Sequence, residues 1–223
     1  MASIPLYPNI LSKKGKFCKT SSDRPAKVIG LTGGIASGKS TVGRMLSEQH
    51  FPVIDTDKLA REVVEPGKPA LKELVKVFGT EILKDDKTLD RQRMLEMMLT
   101  DANTRKLVEN IIHPYVFKRM DQILRQLAAS GNSVVIVEVP LLFETGWQNF
   151  FDYVFSVVAP EPICIKRLAE RKQMSIDMAS RWMATQIPQE VKAKRSDYVI
   201  HNNAGLYELQ IQVNRLSEIL KQL

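Results

Sequence analysis

Cysteine is almost absent from this sequence. Cys18 and Cys164 are the only two in 223 residues, far apart, with no C-x-x-C and no histidine pair nearby. That excludes a disulfide-stapled scaffold and a zinc-finger ligand set, and it favours a reduced, cytoplasmic setting. Cys164 opens an apolar helical segment and reads as a small core residue rather than a nucleophile. Long apolar runs are missing too: nothing approaches the roughly 20 residues that span a bilayer, so no membrane insertion is expected. Acidic charge is the minority, with 25 Asp and Glu against 32 Lys and Arg, a net charge of +7. Such an excess suits either nucleic acid or polyanionic small molecules. The basic residues are scattered along helical segments, however, and no RNA-binding signature or aromatic-studded basic strand occurs. Small polyanions are therefore the expected partners, and nucleic acid is not.

What the chain does have is a glycine-rich run, Val28-Ile29-Gly30-Leu31-Thr32-Gly33-Gly34-Ile35-Ala36-Ser37-Gly38-Lys39-Ser40-Thr41. The eight residues from Gly33 to Ser40 fit G-x-x-x-x-G-K-[ST], a loop that binds the phosphates of a nucleotide. Gly33 and Gly38 let the backbone turn and present its N–H groups as a concave nest, with Gly34, Ile35, Ala36 and Ser37 between them. Lys39 brings a positive charge to the terminal phosphates. The Ser40 hydroxyl suits Mg²⁺, and the helix entered through Thr41 adds its positive end. A β-branched strand signal precedes the loop, and Val42, Met45 and Leu46 follow at helical spacing, so the loop stands in a strand-loop-helix setting.

At this length one full core, or one core with a small insertion, can be buried. Residues 1–26 differ in texture, with prolines at 5, 8 and 25 and five basic residues against Asp23. They are expected to be a disordered or loosely attached extension. An organelle transit peptide is the alternative, but arginine is scarce there and the amphipathic pattern poor. Beyond the loop come a helix over about 40–49, then Phe51-Pro52-Val53-Ile54 as a second strand ending in Asp55-Thr56-Asp57. Ligands of an open parallel sheet sit outside the carboxyl ends of its strands, which points these carboxylates toward the phosphate loop. Two readings stand: Asp55 or Thr56 caps the next helix, and Asp57 orients an acceptor hydroxyl and takes its proton.

From Glu65 to about Ser130 the pattern is helical, an insertion expected to bind the acceptor. His113-Pro114 interrupts its last helix, predicting a kink or a fresh start there. His113 itself is either structural or a substrate contact. Ser133 to Pro140 is the strongest buried-strand signal, and Glu138 at its end either acts on Mg²⁺, directly or through water, or caps the strand. Phe151–Val158 and Tyr198–Ile200 complete about five strands interleaved with helices, an α/β fold with a doubly wound parallel sheet. Between them, about residues 163–188, Arg167 and Arg171 share one helix face. That face is either a solvated basic surface or a lid closing on phosphates.

These pieces together resemble the dephospho-CoA kinase family from about Lys27 to the end. The matching runs are Gly30–Ile35, Val53–Asp57 with Arg61, Val63-Val64-Glu65-Pro66-Gly67, His113-Pro114, Val139–Glu144, Arg167 with Arg171, Arg181 with Gln186, and Ile200-His201-Asn202. The resemblance implies a P-loop kinase fold with core segments 27–64 and 131–223, a helical insertion over 65–130 and the lid. It implies transfer of the ATP γ-phosphate to the ribose 3′-hydroxyl of dephospho-CoA with Mg²⁺, by a monomer or weak homo-oligomer. Asp57 would be the base, and Lys39, Arg167 and Arg171 would contact phosphates. Arg61, His113 and Glu144 would lie near the acceptor and Asn202 near the adenine. Ala36 stands where the family often has glycine, harmless at negative φ. Thr56 replaces a common alanine, and Lys172 takes a place often acidic. Competing readings are a kinase of the nucleoside monophosphate kinase type, a GTP switch, which lacks any N-K-x-D here, and a nucleic-acid-dependent ATPase.

Overall fold

The computed structural model describes residues 26–223, so the extension expected over residues 1–26 falls, apart from Ala26, outside them. Contacts divide the chain into two units, one formed by the residues up to Ile54 with Leu124–Leu223, the other by Asp55–Ile123.

The first unit is built on a five-stranded sheet of β1 (Lys27–Gly33), β2 (Val53–Asp55), β3 (Val134–Glu138), β4 (Tyr153–Val158) and β5 (Tyr198–His201), in the order β2-β3-β1-β4-β5. β1 runs parallel to β3 and β4, and β4 parallel to β5. β1 and β3 are buried at nearly every position, as strands covered on both faces are. One face takes Ile29, Leu31, Ile136, Phe155, Val157 and Ile200 into a core closed by two helices. α1 (Lys39–Glu48) supplies Val42, Met45 and Leu46, and α9 (Leu206–Leu220) supplies Leu209, Val213, Leu216 and Leu220. Both helices carry their buried residues at three- and four-residue spacing. β2 is shorter than its sequence signal and starts after Pro52, although the Pro52 carbonyl still accepts from the Ile136 N–H at 2.9 Å. α6 (Glu161–Lys172), α7 (Ile176–Met183) and α8 (Gln189–Lys194) lie between β4 and β5.

The second unit is helical: α2 (Thr56–Glu62), α3 (Pro69–Phe78), a 3₁₀ turn at Thr80–Ile82, α4 (Arg91–Thr100) and most of α5 (Ala102–Ala129). Lys68 precedes Pro69 at the first position of α3, where a missing N–H costs nothing, and Gly79 at φ 79 ends it. Arg119 on α5 pairs with Glu62 on α2 at 2.7 Å. No fresh helix start occurs at His113-Pro114. Pro114 lies inside one 28-residue helix, forgoing its own N–H bond while flanking turns hold the rest. Among the described residues no helix is long and apolar enough to cross a membrane.

Candidate active site

The phosphate loop leaves β1 at Gly33 and re-enters regular structure at Gly38, whose φ of 100 is a left-handed value suited to glycine. Thr41 and Val42 then donate to the Gly38 carbonyl at 3.0 and 3.1 Å and start α1. No side chain caps this helix and no acid sits in its first turn. An uncapped, positively polarised helix start of this kind is what an anion needs. Ile35 and Ala36 pack against Leu168, Ala169 and Ala179, so helices α6 and α7 rest on the loop itself. The negative φ at which an alanine would be harmless at position 36 is not what the backbone adopts. Ala36 has φ 58, the left-handed region, and its Cβ carries a strain of about 1 kcal/mol that glycine would not.

Lys39, first in α1, meets Glu138, last in β3: Nζ lies 2.6 Å from Oε2, and both side chains are largely buried. The pair places the loop's lysine against the acid at the strand end. Gly43, one turn further along α1, is what admits that acid, since a Cβ there would collide with Glu138 Oε1. Ser40 is exposed beside the same helix start. A hydroxyl and a carboxylate are hard oxygen donors and fit Mg²⁺, which keeps waters and phosphate oxygens as its other ligands. Among the described residues no group of three or more His, Cys, Asp or Glu forms a closed metal cage.

Asn202 follows β5. Its side-chain Nδ2 donates to the Ser37 carbonyl at 2.8 Å, in a residue only 6% exposed. Glu144 is tied inward as well. Its Oε1 accepts from Lys192 Nζ at 2.8 Å and from the Ile187 N–H at 3.2 Å. Lys192 is completely buried and also reaches the Pro140 carbonyl at 3.4 Å. Arg195, one turn on, stacks over Phe143 at 4.4 Å. Gln189 bonds both the N–H and the carbonyl of Ala159. The segment after α7 is therefore fastened to the loops that follow β3 and β4. Arg167 is half-buried and Arg171 exposed on α6. Lys172 sits 5.8 Å over the Trp182 ring of α7, and a cation suits this helix end.

In the second unit Asp55 settles which residue caps α2: its carboxylate accepts from the Asp57 and Lys58 N–H groups. Asp57 is thus in the first turn without being the cap. The Arg61 carbonyl accepts from Arg91 at 3.3 Å, and Arg91, Lys84, Glu65, Pro66 and Leu89 line a cleft of about 520 Å³. Burial pushes the His113 imidazole below its ordinary 6.5, with Glu109 opposing. Cys164 is fully buried, and burial raises its thiol pKa, which suits a core residue rather than a nucleophile.

Sequence reasoning missed Lys192, Gly43, Gln189 and Arg91. A glycine inside the amphipathic pattern of α1 was the available signal for Gly43. Nothing marks Lys192 in the sequence, because a buried lysine looks like any other until its partner is placed.

The dephospho-CoA kinase family model matches residues 27–208. The dephospho-CoA kinase of Corynebacterium glutamicum is 41% identical over 192 residues, covering 86% of this chain and 98% of that one. That of Bacillus cereus is 41% identical over 186 residues, 83% of this chain and 93% of the other. A solved structure from Thermus thermophilus superposes with a TM-score of 0.77 at 30% identity, over 90% of this chain and 99% of its own. The Campylobacter jejuni dephospho-CoA kinase gives 0.66 at 26% identity, over 87% and 98%. With its nucleotide loop and parallel sheet, this chain belongs to the dephospho-CoA kinase family.

Proposed function

We propose that the chain transfers the γ-phosphoryl group of ATP to the ribose 3′-hydroxyl of dephospho-CoA, giving coenzyme A and ADP, with Asp57 as the base. The observation that carries this reading is the Lys39–Glu138 pair at the foot of an uncapped phosphate loop, in a chain of this family. The hydroxyl oxygen forms the new bond to the γ-phosphorus while the bond to the bridging oxygen of ADP breaks, and the hydroxyl proton passes to the Asp57 carboxylate. Asp55 supports that role by taking over the capping of α2. Lys39 has three donors, so it can hold Glu138 and reach phosphate oxygens together. Gly33, Gly34, Ile35, Ala36, Ser37 and Gly38 supply the backbone cradle. Arg167 and Arg171 neutralise charge on the transferring group and help exclude water. Ser40 and Glu138, the latter directly or through water, would hold Mg²⁺, which supplies charge neutralisation at the phosphates when bound. Arg61 and His113 are read as acceptor contacts. The scarcity of cysteine supports action in a reducing, cytoplasmic compartment.

The test is ADP release from ATP and Mg²⁺ with dephospho-CoA, AMP, thymidylate, shikimate or no acceptor. Turnover should occur with dephospho-CoA only, and Asp57→Asn should abolish it by two orders of magnitude or more while ATP still binds. Equal turnover without acceptor would sink the assignment.

A further inference from the structure

Asn202 presents a geometry that a contact with the adenine does not require. Its backbone N–H donates to the Val158 carbonyl at 2.7 Å, which locks its position to the end of β4. From there the side chain reaches back 165 positions in sequence to the Ser37 carbonyl at 2.8 Å. The approach is tight, because a Cβ on Gly38 would collide with Asn202 Nδ2. Ser37 O and the Gly38 N–H belong to one planar trans peptide and point in opposite directions. Holding the carbonyl toward Asn202 therefore aims the Gly38 N–H away from it. It also keeps a partially negative oxygen from swinging toward an anion in the loop.

We propose that Asn202 is a positioning residue that sets the Ser37–Gly38 peptide plane, and through it the phosphate affinity of the loop, without reading the base. The inference rests on the nucleotide reading above and adds a residue whose side chain bonds the loop backbone. It predicts one signature: loss of Asn202 weakens every ligand that carries the phosphates by the same factor, whatever base is attached. Replacement by aspartate should be worse than by alanine, because a carboxylate cannot donate and would face both the Ser37 carbonyl and the incoming phosphates.

The experiment is calorimetric titration of the full chain with inorganic tripolyphosphate and with ATP, in Mg²⁺ buffer, for wild type, Asn202→Ala and Asn202→Asp. The expected result is a loss of about tenfold or more for both ligands, larger for the aspartate, with the ratio of ATP to tripolyphosphate affinity unchanged. Selective weakening of ATP with tripolyphosphate unaffected would make Asn202 a base contact and overturn the proposal, as would no loss for either ligand. A measurement on the unaltered protein guards against misfolded variants: the Asn202 side-chain amide protons should be protected from exchange both alone and with ADP. Their release on ADP binding would overturn it. Failure of the wild type to bind either ligand would bring down the nucleotide reading and this inference with it, an outcome distinct from variants that bind like wild type.

Discussion

Glu138 and Lys39 meet beside the phosphate loop, and the residue that lets them meet has no side chain at all. In Gly43→Ala the new methyl group must displace the Glu138 carboxylate, the movable end of a side chain, while the helix gains about 1 kcal/mol of propensity. Thermal stability should then change little and kcat should fall by about tenfold or more; unchanged kcat would show that the position of Glu138 does not matter. Lys192 gives the opposite pattern. Lys192→Met strands the largely buried Glu144 carboxylate and should cost about 3 kcal/mol in urea unfolding. Adding Glu144→Leu should recover part of that, as a double-mutant cycle would reveal.

Helix α5 contributes one pH-dependent group. His113 is held below its ordinary value by burial, so the unfolded chain takes up the proton first as pH falls. The neutral histidine's contribution is complete above pH 6.5 and is lost as pH drops from there through the lower folded value. Urea unfolding between pH 7 and 5 should show this loss in wild type and less of it in His113→Gln; identical slopes would exclude His113 as the cause. At this scale the sequence was readable where pattern and chemistry coincide. The phosphate loop, the apolar β3 and the stripe of α1 needed only local spacing. Pro114 left a fresh start open because a proline is a local signal, while the length of α5 is decided by the apolar residues on either side of it. The sign of φ at Ala36 was illegible for a related reason: side-chain type does not report a strained backbone that its surroundings hold in place. The inward ties of Glu144 and Asn202 needed partners 43 to 165 positions away.

At the scale of the whole molecule, the proposed nucleotide residues belong to the sheet unit and the proposed acceptor residues Asp57, Arg61 and His113 to the helical one. Hydrogen exchange should separate them. A nonhydrolysable ATP analogue should protect amides of Gly33–Thr41, and dephospho-CoA should protect amides within Asp55–Ile123. At a hundredfold excess over Kd either ligand should add about 2.7 kcal/mol to stability. Dephospho-CoA protection confined to the sheet unit would refute the acceptor assignment. The strand order also has a consequence for how the chain comes to be folded. β1 lies between β3 and β4, so Lys27 pairs with Val134 and Ile29 with Tyr153. Once Ser40 closes the nucleotide loop, the ribosome must add more than 90 residues before Val134 gives the strand beneath that loop a neighbour. The earliest part of the site to be synthesised must wait for the later strands, and until then its apolar strand has no sheet neighbour on either side.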